Sequence, residues 1–281
     1  MLTTTDHSRD KAGLTYVYPV LSRRAGGLSI GINLNINNAC NWRCIYCQVP
    51  DLIRGSAPAV NLDKLGHELR NFLADVVHGG FYDREEVPDE YRVIKDIAIS
   101  GNGEPTTANE FDQVVNLIEL ILKEYGLLNA IKCVLITNGS MVNRAPVNKG
   151  LKKLSKMNGE VWFKIDSATP TGIATINQIK GSNMSTLKRL KTSVELCPTW
   201  IQTCVFIYKN KSPSKSETEA YLNLLKATVS RSIPVKGVLL YGVERPSLQP
   251  EVKAIKKLPE SWMQDFAARI KELSLEVTVT P

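Results

Sequence analysis

The sequence lacks the features that would place the protein in a membrane or in a secretory pathway. No run of apolar residues approaches the length of about 18 that a membrane-spanning helix needs. The first ten residues, MLTTTDHSRD, contain no apolar segment of the kind that a secretory signal requires. We therefore expect a cytoplasmic protein with no membrane partner.

Histidine is scarce, and the three that occur, His7, His67 and His78, are all distant in sequence from the closely spaced cysteines at 40–47. A zinc site of mixed cysteine and histidine ligands is therefore disfavoured there. The chain has six cysteines in total. In a reducing compartment these favour metal binding or thiol chemistry over a disulfide scaffold.

Acidic residues are outnumbered by basic ones, 28 to 35, which gives a formal net charge of +7. The lysines and arginines are scattered, with small clusters only at Arg23 and Arg24, at 149–156 and at 253–257. This balance permits an RNA or nucleotide partner. It is equally consistent with ordinary surface charge.

Short runs rich in β-branched and aromatic residues alternate with helical patterns along most of the chain. A charged segment at 77–92 interrupts the pattern as an insert, and no internal repeat or low-complexity tract is present. The predicted strands occupy 28–36, 94–100, 131–137, 160–166, 200–208 and 235–242, with a seventh expected at 275–280. The predicted helices occupy 62–76, 109–126, 185–196, 214–230 and 259–273.

Six successive strand–helix units predict an α/β fold in which a parallel sheet curls into a (βα)6 partial TIM-type barrel. We assign residues 26–281 to this single domain. Residues 1–25 lack a sustained period and contain turn formers, so we expect an N-terminal arm that packs on or beside the barrel. In such a barrel the chemistry gathers at the carboxyl ends of the strands, and polar motifs follow each predicted strand there.

The first of these motifs is CNWRCIYC, at 40–47, which spaces three cysteines as CxxxCxxC. Three thiolates cannot saturate a tetrahedral metal, so a closed structural zinc site is disfavoured. Soft thiolates suit an iron–sulfur cluster, in which one of four irons would lack a protein ligand and could bind a substrate or cofactor. The alternative is that three unrelated cysteines lie in one loop.

The CxxxCxxC spacing, with the aromatic Tyr46 before the last cysteine, resembles the signature of the radical S-adenosylmethionine (radical SAM) enzymes. The resemblance implies that Cys40, Cys44 and Cys47 hold a [4Fe-4S] cluster whose open iron chelates S-adenosylmethionine (SAM). It also implies reductive cleavage of SAM to methionine and a 5′-deoxyadenosyl radical that attacks a substrate. An electron donor such as flavodoxin or ferredoxin is implied as a partner.

GNGEPT, at 101–106 after the second strand, is similar to the glycine-rich motif of the same family. The resemblance implies that Gly101, Asn102, Gly103 and Glu104 hold the amino group of SAM, with the glycines allowing a close approach of the backbone. Taken without the cysteines, the motif could be an ordinary turn.

Residues after the third and fourth strands resemble further cofactor-binding positions. Thr137, Asn138, Asp166 and Ser167 would approach the ribose and carboxylate of SAM, and Tyr46 would lie against the adenine or shield the cluster. Asp166 could instead cap a helix, because Asp is common at that position. Tyr46 could simply pack in its loop.

The other three cysteines, Cys133, Cys197 and Cys204, lie in or beside apolar segments. Buried cysteine is common, so we expect core packing in preference to an auxiliary cluster.

Four longer stretches, YPVLSRRAGGLSIGINLN, CQVP, INQIKG and LYGVERPS, resemble one branch of the family, the Fe-S oxidoreductases related to the wyosine tRNA-base synthases. The chain departs from those synthases at 176–179, where INQI replaces an INRP-like sequence, and it has no second set of N-terminal cysteines. The fold and cofactor are therefore implied by the resemblance, whereas the pyruvate-condensing reaction on a tRNA base is not carried over.

Arg24, Asn177, Tyr241 and Arg245 are predicted to surround the mouth of the barrel and to bind an anionic substrate such as a phosphate or nucleotide. Each could instead be an ordinary surface or packing residue, and Arg24 could anchor the arm. No residue stands out as a catalytic acid or base.

Three functions remain open from the sequence. The first is a SAM-cleaving enzyme that modifies RNA or a nucleotide-like molecule. The second is a radical activating or maturase enzyme that docks a protein partner through the insert at 77–92. The third is a non-catalytic electron carrier or sensor, although a carrier would not need the amino-group pocket of GNGEPT.

Overall fold

An eight-stranded, mostly parallel sheet forms the centre of the protein and curls into a half-barrel, with helices packed on its outer face. The computed structural model describes residues 13–22 and 26–281. The strands are β1 Val17–Ser22, β2 Gly27–Ile32, β3 Ala39–Cys40, β4 Ile53–Arg54, β5 Ile94–Ile99, β6 Lys132–Thr137, β7 Gly159–Lys164, β8 Thr199–Val205, β9 Ile207–Tyr208, β10 Val238–Gly242, β11 Ile255–Lys256 and β12 Val277–Thr280. The helices are α1 Leu62–His78, α2 Phe81–Arg84, α3 Phe111–Glu124, α4 Ala145–Leu154, α5 Pro170–Ile176, α6 Asn183–Leu196, α7 Lys215–Ser230 and α8 Glu260–Lys271.

The order of strands in the sheet is β1-β2-β5-β6-β7-β8-β10-β12. All neighbours from β2 to β12 are parallel, which confirms the six predicted parallel strands and the seventh expected near the end of the chain. Parallel neighbours require crossover connections, and helices supply most of them. The carboxyl ends of these strands therefore meet at one end of the half-barrel.

Helix α3 shows why the helices cover the sheet. Its apolar residues recur at spacings of three and four, so they form one stripe, and all six of them are buried. They are Phe111, Val114, Val115, Ile118, Ile121 and Leu122. One large apolar cluster joins this stripe to the sheet and to the neighbouring helices. Helices α4 and α5 were not predicted; both begin with a proline in the first turn, where its missing N–H costs nothing.

The N-terminal segment differs from the predicted arm, because Val17–Ser22 forms strand β1, antiparallel to β2. Pro19 weakened the strand signal, but proline is tolerated in an edge strand such as this one. The buried carboxylate of Glu68 in α1 accepts hydrogen bonds from the backbone N of Thr15 and Tyr16, at 3.0 and 2.8 Å. The segment is thereby joined to both the sheet and a helix.

The charged insert at 77–92 forms α2 and a short 3-10 turn at Asp89–Tyr91. It connects the end of α1 to the beginning of β5, so it enters the sheet at the end opposite to the carboxyl ends of the parallel strands. Its Phe81 ring packs edge-on against Phe72 at 5.1 Å. Within the described residues, no helix combines the length and apolar character needed to cross a membrane.

Replacing Glu68 by alanine should lower the free energy of unfolding by about 2 to 3 kcal/mol, because backbone N–H groups at 15 and 16 would be left without an acceptor in a largely buried environment. Urea denaturation measures the change, and amide hydrogen exchange at 15–17 should accelerate. The control is Glu195→Ala, which removes an exposed pair with Lys191 and should change the stability by less than about 0.5 kcal/mol. Equal effects of the two substitutions would contradict the role of Glu68.

Candidate active site

A cavity of about 380 Å³ opens at the carboxyl ends of the parallel strands and extends into the half-barrel. It brings together residues from segments that are far apart in sequence, as the parallel topology predicts. The predicted site residues that line it are Cys40, Cys44, Tyr46, Cys47, Gly101, Gly103, Glu104, Thr137, Asn138, Tyr241 and Arg245.

The loop that carries the three cysteines is fixed by hydrogen bonds along its whole length. Cys40 ends strand β3, where its carbonyl accepts from the backbone N of Gly55 at 3.1 Å. The backbone N of Cys47 donates to the carbonyl of Cys44 at 3.0 Å, which closes a turn between them. The hydroxyl of Ser247 donates to the carbonyl of Ile45 at 2.7 Å. All three cysteines are half-buried residues that line the cavity.

Glu104 is almost completely buried at the wall of the cavity, and its carboxylate accepts several hydrogen bonds from the protein. Oε1 accepts from the hydroxyls of Thr106 and Thr137 at 2.5 and 2.6 Å, and Oε2 accepts from the backbone N of Asn138 at 2.6 Å. Burial raises the pKa of Glu104, and these hydrogen bonds oppose the rise. The arrangement fixes the carboxylate in one orientation, where a cation in the cavity would stabilise its charged form.

Gly101 and Gly103 are required here by the protein's own chain. A Cβ on Gly103 would lie 2.1 Å from the carbonyl oxygen of Ala39, immediately before the first cysteine. Gly101 has a φ of +146°, and a Cβ there would lie 2.8 Å from the Cα of Asn33. The glycines therefore allow the GNGEPT turn to pack directly against the start of the cysteine loop, a close approach that the sequence predicted for a ligand.

Asn102 and Asn138 differ from their predicted roles in the direction of their side chains. Asn102 does not line the cavity, and its side-chain nitrogen donates to Asn38 Oδ1 at 2.7 Å. Asn138 lines the cavity, but its side-chain nitrogen donates to Asn41 in the cysteine loop at 2.9 Å. Both asparagines therefore join their loops to the segment that surrounds the cysteines.

Asp166 and Ser167 do not line this cavity; they line a second, mostly apolar one of about 610 Å³ between the outer face of the sheet and helices α5, α7 and α8. Asp166 is not a helix cap either, because Thr169 caps α5. Its Oδ2 accepts from the Tyr46 hydroxyl at 2.6 Å, and its Oδ1 accepts from the backbone N of Cys204 at 3.0 Å. Ser167 donates to Glu217 at 2.8 Å. Both therefore support the cavity wall from behind.

Asn177 was predicted to contact the substrate at the mouth of the barrel. The residue is 2% exposed and lines neither cavity. Its side-chain nitrogen donates to Asp166 Oδ2 at 2.7 Å and to the sulfur of Cys44 at 3.3 Å. It lies behind the cysteine loop instead of at the mouth.

Of the two arginines predicted to bind substrate, Arg245 lines the cavity and is half-buried. Arg24 lies outside the described residues. The predicted substrate contact at Tyr241 lies deeper, on β10, where its hydroxyl accepts from Lys164 Nζ at 2.9 Å.

Lys164 belongs to the same stretch as Asp166 and Ser167, which resembles a cofactor-binding position, and it lines the cavity. Its ammonium group lies 5.0 Å from the centre of the Tyr46 ring and 5.5 Å from that of Tyr241, a favourable position for a cation. Burial alone would lower the pKa of Lys164, but interactions with Tyr241, Asp166 and Cys44 outweigh it and raise the pKa well above its usual value. Lys164 therefore brings a permanent positive charge to the cavity wall.

Gln202 and Cys204, on β8, were not predicted from the sequence to line the cavity. Gln202 is 3% exposed, and its Oε1 has no hydrogen-bond partner, which leaves an acceptor free at the wall. Cys204 packs against Ile45 and Phe206 as well as lining the cavity. Cys133 and Cys197 lie in the main core, as predicted. The sequence signal that could have found Gln202 and Cys204 is the alternation of side chains along a strand, because residues two positions apart face the same side of the sheet.

Comparison with protein families identifies the class to which this arrangement belongs. A model described as "Radical SAM superfamily" matches residues 34–215, which include every one of the cysteines and polar motifs from 40 to 181 discussed above. This match covers more than half of the chain.

The chain belongs to the Radical SAM superfamily.

Two curated relatives are both named "UPF0026 protein" and come from strains of Helicobacter pylori. The chain is 28% identical to that of strain ATCC 700392 / 26695 over 138 residues and 29% identical to that of strain J99 / ATCC 700824 over 147 residues. The matches cover 48% and 51% of this chain but only 38% and 41% of those relatives.

Solved structures share the fold. A radical SAM methyltransferase from Sphaerobacter thermophilus superposes with a TM-score of 0.59 at 11% identity, covering 94% of this chain and 68% of its own. TYW1 with a lysine-pyruvate adduct bound gives a TM-score of 0.58 at 16% identity, covering 87% and 73%. Streptococcus suis SuiB bound to S-adenosylmethionine gives 0.51 at 12% identity, covering 86% and 44%. These likenesses confirm the partial-barrel architecture.

The donor set fits the iron–sulfur cluster that radical SAM membership implies. Cys40, Cys44 and Cys47 line one cavity together, and each sulfur is free of a disulfide. Among the residues that the structure describes, no three Cys, His, Asp or Glu side chains are grouped to hold a single metal ion. Cysteine thiolates are the ligands that an iron–sulfur cluster takes.

The thiols must lose protons before they can bind iron. Burial raises the pKa of both Cys40 and Cys44 to about 12; Glu104 adds to the rise at Cys40 and Asp166 adds to it at Cys44. Both thiols are therefore protonated at neutral pH in the cluster-free protein, and a bound cluster replaces their protons.

Alkylation of Cys40 and Cys44 by iodoacetamide in cluster-free protein should be slow at pH 7.5 and should continue to accelerate up to about pH 11, because only the thiolate reacts. Peptide mass spectrometry measures the rate at each cysteine. The reference is a cysteine in a short unstructured peptide, whose rate should level off above its ordinary pKa of about 8.5. A rate at Cys40 or Cys44 that levels off with the reference would contradict the raised pKa.

Proposed function

We propose that this protein is a radical SAM enzyme that cleaves SAM reductively and modifies an RNA or nucleotide-like substrate. The observation that carries the proposal is the shared cavity: the three thiols, the buried carboxylate of Glu104 and the Lys164 ammonium all line it. Family membership supports the reaction class, and the charges of the cavity support the ligand.

In this proposal Cys40, Cys44 and Cys47 hold a [4Fe-4S] cluster with one iron left for SAM. When bound and reduced, such a cluster supplies the electron that cleaves SAM to methionine and a 5′-deoxyadenosyl radical. The remaining residues bind and orient. Gly103 allows the GNGEPT turn to pack against the cysteine loop, so the position of the Glu104 carboxylate relative to the cluster ligands is fixed.

Glu104 would bind the ammonium group of SAM. Its carboxylate already accepts hydrogen bonds from the hydroxyls of Thr106 and Thr137 and from the backbone N of Asn138. A bound cation would lower its pKa toward the ordinary range and retain the negative charge. Lys164, at the end of β7, lines the same cavity and supplies a positive charge for a carboxylate or phosphate. The cavity therefore offers a charge of each sign to a zwitterionic ligand.

The substrate class is inferred from charge and from the fold. The net charge of +7 and the half-buried Arg245 at the cavity favour an anionic substrate. TYW1, one of the proteins of similar fold, belongs to the wyosine-related branch that the sequence resembles. Since the chain matches about two fifths of its Helicobacter relatives, the activity of those longer proteins is not carried over.

The two other functions considered from the sequence receive less support. A non-catalytic electron carrier would have no use for the ammonium-binding carboxylate and the cavity beside the cysteines. For a maturase, the insert at 77–92 was the predicted docking surface, but it enters the sheet at the end opposite to the cavity. A protein docked there would be separated from the cysteines by the length of the half-barrel.

Cys44→Ala should abolish both the brown chromophore and the cleavage of SAM, because the remaining two sulfurs cannot hold three irons. The measurements are iron content and 5′-deoxyadenosine released by anaerobically reconstituted protein, with and without tRNA. Cys133→Ala, at a thiol in the main core, is the matched control and should retain both. Unchanged iron content in Cys44→Ala would refute the cluster assignment, and tRNA that neither binds nor stimulates release would refute the RNA substrate.

Glu104→Gln should leave the cluster in place but weaken SAM binding by about 1.5 to 3 kcal/mol, the range for a hydrogen bond to a charged group. Anaerobic titration calorimetry on the iron-loaded protein measures the affinity. Glu124→Gln, at a surface ion pair with Arg70, is the control and should bind SAM as the wild type does. An unaltered affinity in Glu104→Gln would contradict the role of this carboxylate.

A further inference from the structure

The cysteine loop is supported from behind by the segment that ends helix α5. The backbone N of Ile45 donates to the carbonyl of Ile176 at 2.9 Å, and the backbone N of Arg43 donates to the carbonyl of Asn177 at 3.3 Å. These bonds hold the residues on both sides of Cys44. The loop is further anchored by Arg43, whose guanidinium forms two bonds with Glu251 at 2.6 and 2.9 Å.

The side chain of Asn177 lies between a carboxylate and the sulfur of Cys44. Its nitrogen is 2.7 Å from Asp166 Oδ2 and 3.3 Å from Cys44 Sγ. An ionised carboxylate offers only acceptors, so the amide group must present its nitrogen to Asp166. The same NH2 group has a second proton, and that proton is directed to the sulfur.

Asp166 keeps the amide from rotating. The Tyr46 hydroxyl donates to the same Oδ2 at 2.6 Å, and the backbone N of Cys204 donates to Oδ1 at 3.0 Å. Asn177 is 2% exposed and Asp166 8% exposed, so water has little access to compete for these bonds. The donor to the sulfur is therefore oriented before any ligand binds.

The sulfur atoms of Cys44 and Cys40 accept hydrogen bonds from different parts of the chain. Cys40 Sγ accepts from the backbone N of Trp42 at 3.4 Å, which is part of the loop itself. Cys44 Sγ accepts from a side chain 133 positions away, on another element. The hydrogen bond to Cys44 is therefore a separate feature of the fold, and a substitution can remove it without changing the loop.

We propose that Asn177 is a positioning residue that stabilises negative charge on the sulfur of Cys44 and thereby raises the reduction potential of the cluster. The inference rests on the proposed function, which places a [4Fe-4S] cluster on this sulfur. Reduction adds an electron that is shared with the ligand sulfurs, so an N–H donor stabilises the reduced state more than the oxidised one. Asn177 thus makes the cluster easier to reduce.

The test is a redox titration of iron-loaded Asn177→Leu, followed by the electron paramagnetic resonance signal of the reduced cluster. Leucine preserves the approximate size but has no donor. At a fixed potential, the ratio of reduced to oxidised cluster should fall about tenfold, which corresponds to a shift of about 59 mV to more negative potential for a one-electron couple. The iron content should be that of the wild type.

The matched control is Gln178→Asn, the neighbouring residue. Its side-chain nitrogen bonds to the carbonyls of Ala174 and Thr175 in the preceding helix α5, and its φ of +56° is one that asparagine tolerates. Its potential should equal that of the wild type. A potential for Asn177→Leu that matches the wild type would overturn the inference while leaving the cluster assignment intact.

A second variant covers the case in which leucine disturbs the packing. The double substitution N177D/D166N exchanges the two groups, so one hydrogen bond between them is retained while a carboxylate faces the sulfur. It should shift the potential in the same negative direction. If both variants lose iron while Gln178→Asn keeps it, Asn177 is needed for holding the loop and the tuning role is overturned. Wild-type protein that binds no iron would contradict the proposed function as well.

Discussion

The site depends on a half-barrel interior that is not filled by its own side chains. In a closed parallel barrel, bulky branched residues pack the centre in layers. Here three small residues line the cavity. Gly31 lies on β2, Ala98 lies on β5, and Ser100 directly follows β5. The absence of a side chain at Gly31 makes room for the Tyr18 ring, which a Cβ there would meet at 2.1 Å. Ala98 and Ser100 add little bulk, so the cavity stays open to Lys164 on β7 and Gln202 on β8.

Two buried carboxylates, those of Glu104 and Asp166, fix the loops around the cavity. Glu104 joins the ends of β5 and β6, because its partners lie in its own turn and at Thr137 and Asn138. Asp166 joins the end of β7 to the cysteine loop through Tyr46 and to β8 through Cys204. Burial of a charged group is unfavourable unless donors surround it, so each carboxylate fixes the loops that supply its donors. The same network brings Asn177 to the sulfur of Cys44.

Much of the architecture could be predicted because the signals were local. The six parallel strands show continuous β-branched and aromatic runs, and α3 shows its apolar stripe directly. The position of the cysteines and of Glu104 at one end followed from the rule that parallel strands end together. Strand β1 was missed because Pro19 is unfavourable in most strands but acceptable at an edge.

The details of the site were less accessible because they depend on contacts between distant segments. Tyr46 and Asp166 are separated by 120 positions, and Asn177 and Cys44 by 133. Residue type alone does not tell whether Asp166 caps a helix, binds a ligand or supports a loop. Lys164 ends an apolar strand, and only the two tyrosine rings from other elements show how its charge is accommodated at the cavity wall.

The two edges of the sheet, β1 and β12, are not paired with each other in the described part of the chain. Both contribute to the wall of the cavity, through Tyr18 and Val20 on one side and Thr280 on the other. Residues near both ends of the described chain therefore meet at one cavity, although their strands share no hydrogen-bonded ladder.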